Sequence, residues 1–245
     1  MVSAVGDDAR GREAIEMMQS YGIDVSSVQV IAEAPTGAVG VTLDDFGKPT
    51  FTIHEGSAWD RLAWTPELER QTTEADAVYF GTLGQRGEMS RNTIRRALQV
   101  AEHAGVSRVL DVNLRPPFFD ASLIRESVGS ASILKLSDDE LSAVCAACGL
   151  TPASDVEQSL HHLLDALQLD LVVMTRGPDG AILVSPGQTV DQSGIPTTVR
   201  DTVGAGDSFT ASLVLGLLRG ETLEGALLQA CETASTVCSH SGAVP

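Results

Sequence analysis

Short β-branched runs alternate along this chain with longer stretches in which apolar residues recur at helical spacing. "VSAV" leads into a predicted helix over residues 9–21, closed by Gly22, and "DAVYFGTL" leads into another over 88–104, closed by Gly105. "SRVLDVNL" runs to Pro116 and is followed by a helix near 120–129. "ASILKL" precedes a helix over 137–148 that stops at Gly149, and a helix near 154–167 precedes "LDLVVMT". Strands that read as unbroken apolar runs are buried on both faces, and the helices between them supply the cover. The pattern predicts an α/β fold around a mainly parallel sheet.

Two regions depart from this rhythm. Residues 36–58, "TGAVGVTLDDFGKPTFTIHEGSA", alternate apolar and polar positions about the turn "DDFGK", which predicts a β-hairpin inside the βα array. A hairpin with no helix of its own projects as a flap, so it is read as a lid. After Thr175, "GAILV" and "GQTVDQSG" lie too close together for crossover helices, and the sheet is expected to turn antiparallel. The last third reads as two helices, 205–219 and 222–239. No repeat, low-complexity tract or Pro/Gly/Ser-rich linker interrupts the chain, so one domain over 1–245 is expected.

Composition narrows the partners. With 43% hydrophobic residues in 245, there is material for a substantial core. Its 33 acids against 16 bases give a net charge of -17, which opposes binding to nucleic acid or to anionic lipid. No secretory leader pattern opens the sequence and no apolar run reaches about 18 residues, so a soluble, cytoplasmic protein is expected. Cys145 and Cys148 form a C-x-x-C within a helical pattern, and Cys231 and Cys238 share one helix face. Both pairs read as small buried hydrophobes rather than metal ligands. His161 and His162, adjacent on a helix, point in different directions and do not readily share an ion.

The candidate chemistry lies in "DTVGAGDSFTASLVLGLL", residues 201–218. Gly204 and Gly206 allow positive φ and close approach, so consecutive backbone N–H groups can converge at a helix N-terminus into an anion-binding nest. No Lys-Ser/Thr follows, so it is no P-loop, and the third glycine of a dinucleotide fingerprint is missing. An isolated Asp207 would read as a helix cap or dipole partner. Beside a nest suited to phosphate, a permanent acid repels the ligand unless it has a chemical task. General base toward an attacking hydroxyl is the task that fits. The helix that follows is small and apolar all round, hence buried and rigid.

"DTVGAGDSF" resembles the C-terminal signature of the ribokinase-like sugar kinases, the PfkB family of carbohydrate kinases. "MTRGPDGAILV" (174–184) resembles that family's nucleotide-binding turn, "DVNLRP" (111–116) its mid-chain strand end, and "KLSDDE" (135–140) the segment that organises magnesium and phosphates. The resemblance implies a ribokinase-like three-layer α/β/α sandwich with a small β-hairpin lid. It also implies ATP-dependent phosphorylation of a sugar hydroxyl, with Asp207 as base and Gly204, Ala205 and Gly206 as the anion hole. Thr175, Arg176, Gly177 and Gly180 would line the ATP site, and Asn113 and Arg115 would face the phosphates and the sugar. Glu140 would hold water on Mg2+, and Asp201 and Val203 would help form a monovalent-cation (K+) site.

"YFGTLGQR" (79–86), with Gly81 at the sugar, together with Ser137 and "DVNLRP", resembles the fructokinase branch. Relatives acting on 2-keto-3-deoxygluconate tend to carry an arginine where this chain has His54, and losing that bidentate carboxylate partner favours a neutral sugar. Ribokinase-type specificity is the other alternative. Cys231 stands where many relatives place Asn or His near the adenine, which implies altered base contacts. Exposed lid strands imply a homodimer. The family pattern opens with a sugar-gripping aspartate strand and a "GG-x-x-x-N" stretch, and neither precedes "VSAVGDDARG". A βαβ unit takes about 30 residues or more. The resemblance therefore implies a sequence lacking its start, expected to bind ATP weakly and to phosphorylate fructose poorly or not at all. The reading from another class is a short, non-catalytic paralogue with a nucleotide-binding or regulatory role.

Overall fold

The structure is a computed structural model that describes residues 1–43 and 49–244. Its contacts divide the chain into two compact units, Met1–Ala75 with Leu83–Val106, and Asp76–Thr82 with Ser107–Pro245.

The first unit holds β1 (Val2–Gly6), α1 (Ala9–Ser20), β2 (Ser27–Ile31), β3 (Val39–Leu43), β4 (Pro49–Ile53), α2 (Pro66–Glu74) and α3 (Glu88–Ala104). β1 and β2 form their own parallel pair, with Val2 opposite Ser27. β3 and β4 are the expected antiparallel hairpin, with Val39 opposite Ile53, and its "DDFGK" turn lies outside the described residues. The stretch "VGDDARG" is knotted by one carboxylate. Asp8 Oδ1 accepts the α1 cap bond from Gly11 N at 2.8 Å and the Thr36 hydroxyl at 2.7 Å, while Oδ2 accepts Thr36 N at 2.8 Å. A Cβ at Gly11 would stand 2.2 Å from the Gly6 carbonyl, so the helix reaches this knot only as glycine. A second clamp holds the hairpin's exit: Arg86 grips Asp60 through Nε and Nη2 at 2.8 and 2.9 Å, donates to the His54 carbonyl, and lies 4.0 Å above the Trp59 ring.

The second unit holds β5 (Ala77–Gly81), β6 (Ser107–Asp111), α4 (Ala121–Gly129), β7 (Ile133–Ser137), α5 (Asp138–Ala147), α6 (Val156–Leu167), β8 (Leu171–Thr175), β9 (Ala181–Ser185), β10 (Gln188–Gln192), α7 (Ala205–Leu218) and α8 (Leu223–Cys238). Its sheet runs β10-β9-β8-β7-β6-β5, parallel through β5 to β8 and antiparallel across β9 and β10, as the sequence pattern predicts. Leu171, Val173, Ala181 and Leu183 pack against Phe209 and Leu213 of α7 and Ala226, Leu227 and Ala230 of α8. The alternate positions Val172, Met174, Ile182 and Val184 are buried as well, and α6, which presents Leu160, Leu163 and Leu164 as buried residues, lies against β8 and β9. Burial on both faces is why these strands read as continuous apolar runs.

Helix bounds fall within two residues of the pattern's. Two elements carry too little pattern to be predicted. α2, "PELERQTTE", buries only Leu68 and Thr72 and is set by the Thr65 cap and Pro66 in its first turn. β2, "SVQVI", is only half-buried along its length. Among the described residues no helix is long and apolar enough to cross a membrane, and no group of three or more His, Cys, Asp or Glu gathers into a metal site. The four cysteines are free, and burial pushes the thiols of Cys145, Cys148 and Cys231 up, as small core residues require.

The Asp8 knot makes a pH prediction. Hydrogen bonds from the Thr36 N–H and hydroxyl, then from Gly11, lower this carboxyl from 3.8 to about 2. A lowered acid contributes stability that is complete above the unfolded value and is lost as pH falls through the folded one. Urea midpoints measured between pH 5 and pH 2 should fall less steeply for Asp8→Asn than for the native chain; equal slopes would show that the knot carries no charge-dependent stability.

Candidate active site

The start of α7 is built on two close approaches. Gly204 is its N-cap at φ +80, and a Cβ there would meet Ala243 Cβ at 2.9 Å, so conformation and space both require glycine. Asp201 fastens the preceding turn to the chain's last residues, accepting Val203 N and Gly242 N at 2.9 Å each. Those two bonds hold its carboxyl below the ordinary value. Ser208 N donates to the Gly204 carbonyl at 2.8 Å and Ala205 N to Thr202 O at 3.3 Å. The N–H groups of Gly206 and Asp207 have no acceptor among the described residues. Asp207 itself is exposed, without an ion pair among the described residues. Two donors without an acceptor among the described residues, at the positive end of a helix and beside a carboxylate, can receive an anion next to a group able to take a proton.

The other expected residues of this unit sit at the carboxyl ends of the parallel strands, where α/β sheets bind ligands. Gly81 ends β5 opposite Asp111, whose carbonyl would be 3.2 Å from a Cβ at Gly81. Asn113 follows β6 in the left-handed region at φ +41, and Arg115 is exposed, its guanidinium reaching only the Leu114 carbonyl at 3.3 Å. Glu140 caps α5: its Oε2 accepts Ser137 N at 2.8 Å, and its Oε1 reaches across to accept Leu114 N at 2.6 Å. Thr175 ends β8 with its hydroxyl on Leu136 O at 3.4 Å, and Gly177 holds φ +54 with open space where a Cβ would be.

Packing defines the surroundings of three further expected residues. Arg176 pairs with Asp191, and its Nε is buried with no partner among the described residues. Gly180, at φ +90, would place a Cβ 2.1 Å from the Gln192 carbonyl, so its freedom serves the approach of the turn to the chain leaving β10. Cys231 belongs to the apolar cluster between α8 and the sheet and is only 8% exposed. Glu140 keeps a more limited metal role: each oxygen already takes a backbone N–H, which leaves one lone pair apiece for a water. The donor set here suits a Mg2+ ion only if phosphate oxygens and waters supply most of its ligands, which is how Mg2+ is ordinarily bound. Val203, half-exposed, donates its N–H to Asp201. His54 belongs to the first unit, exposed, with its backbone N on Ala38 O at 3.1 Å.

Sequence reasoning missed a buried polar cluster beneath α7. Lys135 Nζ lies 3.1 Å from both oxygens of Asp111, with side chains 8% and 1% exposed. The Thr210 hydroxyl is shared between Asp111 Oδ2 at 3.3 Å and the Gly206 carbonyl at 2.9 Å. Burial raises the Asp111 carboxyl, with the charges of Glu140 and Asp207 pushing the same way and Lys135 opposing them. Burial likewise raises the Tyr79 phenol, with the charges of Asp111 and Asp207 pushing the same way. The available signal was Asp111 and Lys135 set directly against the apolar runs Val109–Leu110 and Ile133–Leu134.

A mainly parallel sheet with an uncapped helix end and an exposed carboxylate at its carboxyl edge is the setting in which α/β folds bind ligands. The chain belongs to the pfkB family of carbohydrate kinases, whose profile matches residues 1–245. It is 29% identical to probable fructokinase-7 of Arabidopsis thaliana over 259 residues, covering 100% of this chain and 74% of that one. It is 28% identical to aminoimidazole riboside kinase of Salmonella typhimurium over 244 residues, covering 97% of this chain and 73% of that one. Arabidopsis thaliana ribokinase, solved with ribose and ATP, superposes with a TM-score of 0.82 at 26% identity, over 100% of this chain and 77% of that one. The ribokinase-like fold is shown, a mixed α/β sheet with helices on both sides.

Glu140 joins two segments through backbone amides. Glu140→Ala should lower stability by about 1–2 kcal/mol in urea titration and speed hydrogen exchange at the Leu114 amide; unchanged protection at Leu114 would contradict the bridge.

Proposed function

We propose that the chain transfers the γ-phosphoryl group of ATP to a hydroxyl of a neutral sugar, with fructose the first candidate. The observation that carries the reading is the exposed Asp207 carboxylate beside the unpartnered N–H groups of Gly206 and Asp207, on a turn that Gly204 alone can form.

Asp207 takes the proton of the sugar hydroxyl as that oxygen forms its bond to the γ-phosphorus. The bond from phosphorus to the β–γ bridging oxygen breaks, and its electron pair leaves with ADP. Charge building on the equatorial phosphoryl oxygens is met by the amides of the 204–207 turn, whose positions are fixed before the reaction. Ala205 joins them by releasing its long bond to Thr202.

The turn after β8, with Thr175 and Gly177, lies against the nucleotide, and the open left-handed Gly177 gives backbone access to it. Asn113 and Arg115, which make no ion pair among the described residues, face the phosphates and the sugar, and Gly81 keeps the end of β5 bare beside them. Mg2+, when bound, would neutralise charge on the phosphates. Glu140 orients a water toward it with the lone pairs its backbone bonds leave over. Asp201 and the Val203 segment form the rim of a K+ site.

Sugar choice rests on the fructokinase resemblance of "YFGTLGQR" and on position 54, where a histidine offers no bidentate partner to a substrate carboxylate. Ribose and 2-keto-3-deoxygluconate are the alternatives, and the cytoplasm is the proposed compartment.

Coupled detection of ADP release over a panel of fructose, ribose, aminoimidazole riboside and 2-keto-3-deoxygluconate tests this reading, with Asp207→Asn as the partner variant. Fructose should give the highest kcat/KM, and Asp207→Asn should lower kcat by about a thousandfold or more with ATP affinity kept within about threefold. A variant that retains most of its rate would remove Asp207 as the base.

A further inference from the structure

The sheet face beneath α7 changes character abruptly along one row. Gly81, Asp111, Lys135, Val173 and Leu183 stand side by side in register across β5, β6, β7, β8 and β9. Under β8 and β9 the row is apolar and fills the α7–α8 core. Under β6 and β7 it is an ion pair, almost wholly buried. Stability does not explain the change, because replacing a buried ion pair with well-packed apolar residues is often neutral or stabilising.

The placement of the pair does suggest a reason. Two of the three ammonium donors of Lys135 are matched by the oxygens of Asp111, and the third has no acceptor among the described residues. The same Nζ stands 3.4 Å from the point where Gly206 would carry a Cβ, so the cation sits directly behind the turn whose amides are unpaired. Asp111 is itself tied to that turn through the Thr210 hydroxyl, which also holds the Gly206 carbonyl. Around it the charges are negative: Asp111 feels both Glu140 and Asp207. Glu140 and Asp207 carry negative charge near this turn, and a fixed cation beside it lessens their repulsion of a phosphate.

We propose that Lys135 is that cation: held by Asp111 and Thr210 behind the Gly206 turn, it supplies the positive charge that selects a terminal phosphate there, so the chain distinguishes ATP from ADP through it. This rests on the reading that the 204–207 turn takes the γ-phosphoryl group. Asp111 and Thr210 are positioning residues, acting through Lys135 and the Gly206 carbonyl.

Calorimetric titration of the full chain with ATP and with ADP, in Mg2+, tests the inference. Lys135→Met should weaken ATP about tenfold while ADP affinity stays within about twofold. Because that variant strands a buried carboxylate, the double variant Asp111→Asn, Lys135→Met is measured beside it. The double variant should regain the native Tm yet keep the loss of ATP preference. A purely structural pair would restore both, so an ATP-to-ADP ratio in the double variant within about twofold of native overturns the inference. A native chain that shows no preference for ATP would instead overturn the reading of the turn itself.

Discussion

Helix α7 begins without a side-chain cap, and the carboxyl edge of the second unit is organised around that omission. α1, α2, α4, α6 and α8 each start with an Asp or Thr whose side chain accepts an amide of the first turn. α7 starts instead with a left-handed glycine, and the N–H groups of Gly206 and Asp207 have no acceptor among the described residues. Unpaired donors at a helix N-terminus cost free energy unless water or a ligand answers them. The surroundings keep this arrangement in place: Ala243 fills the space a side chain at residue 204 would need, and Asp201 pins the approach from both sides.

Around that end the unit holds charge in a deliberate balance. Glu140 spends both oxygens on backbone amides and so welds the loop after β6 to the start of α5. Asp111 is neutralised by Lys135 and coupled through Thr210 to the Gly206 carbonyl. Asp207 is the acid left exposed and unpaired among them, which suits a group that must accept a proton. Rigidity comes from the apolar half of the same face, where Phe209 and Leu213 lock α7 against Val173 and Leu183. The sheet thus supplies a dry anchor at one end of α7 and an electrostatic one at the other.

Much of this was legible in the sequence because it is local. Periodicity located seven of the eight helices, the antiparallel turn after Thr175 and the hairpin strands, since each is a pattern within about twenty residues. "GAGD" announced the α7 turn for the same reason. What escaped depends on register between distant segments. Asp111 and Lys135 are 24 residues apart and meet only because β6 and β7 pair in one alignment. Arg176 and Gly180 are packed against β10 and the segment after it, contacts that no local pattern carries. The place of Cys231 in the apolar cluster depends on the rotation of α8, which its position along the helix does not give. α2 has so few buried positions that its helix is set by Thr65 and Pro66 rather than by an apolar stripe.

The central claim is that the amides of Gly206 and Asp207 receive the terminal phosphoryl group of ATP. A crystal structure of the chain with Mg2+ and a non-hydrolysable ATP analogue tests it most directly. The account predicts γ-phosphate oxygens within hydrogen-bonding distance of both amides, with the Asp207 carboxylate facing the phosphorus from the sugar side. A nucleotide bound with its terminal phosphate away from the 204–207 turn would contradict it.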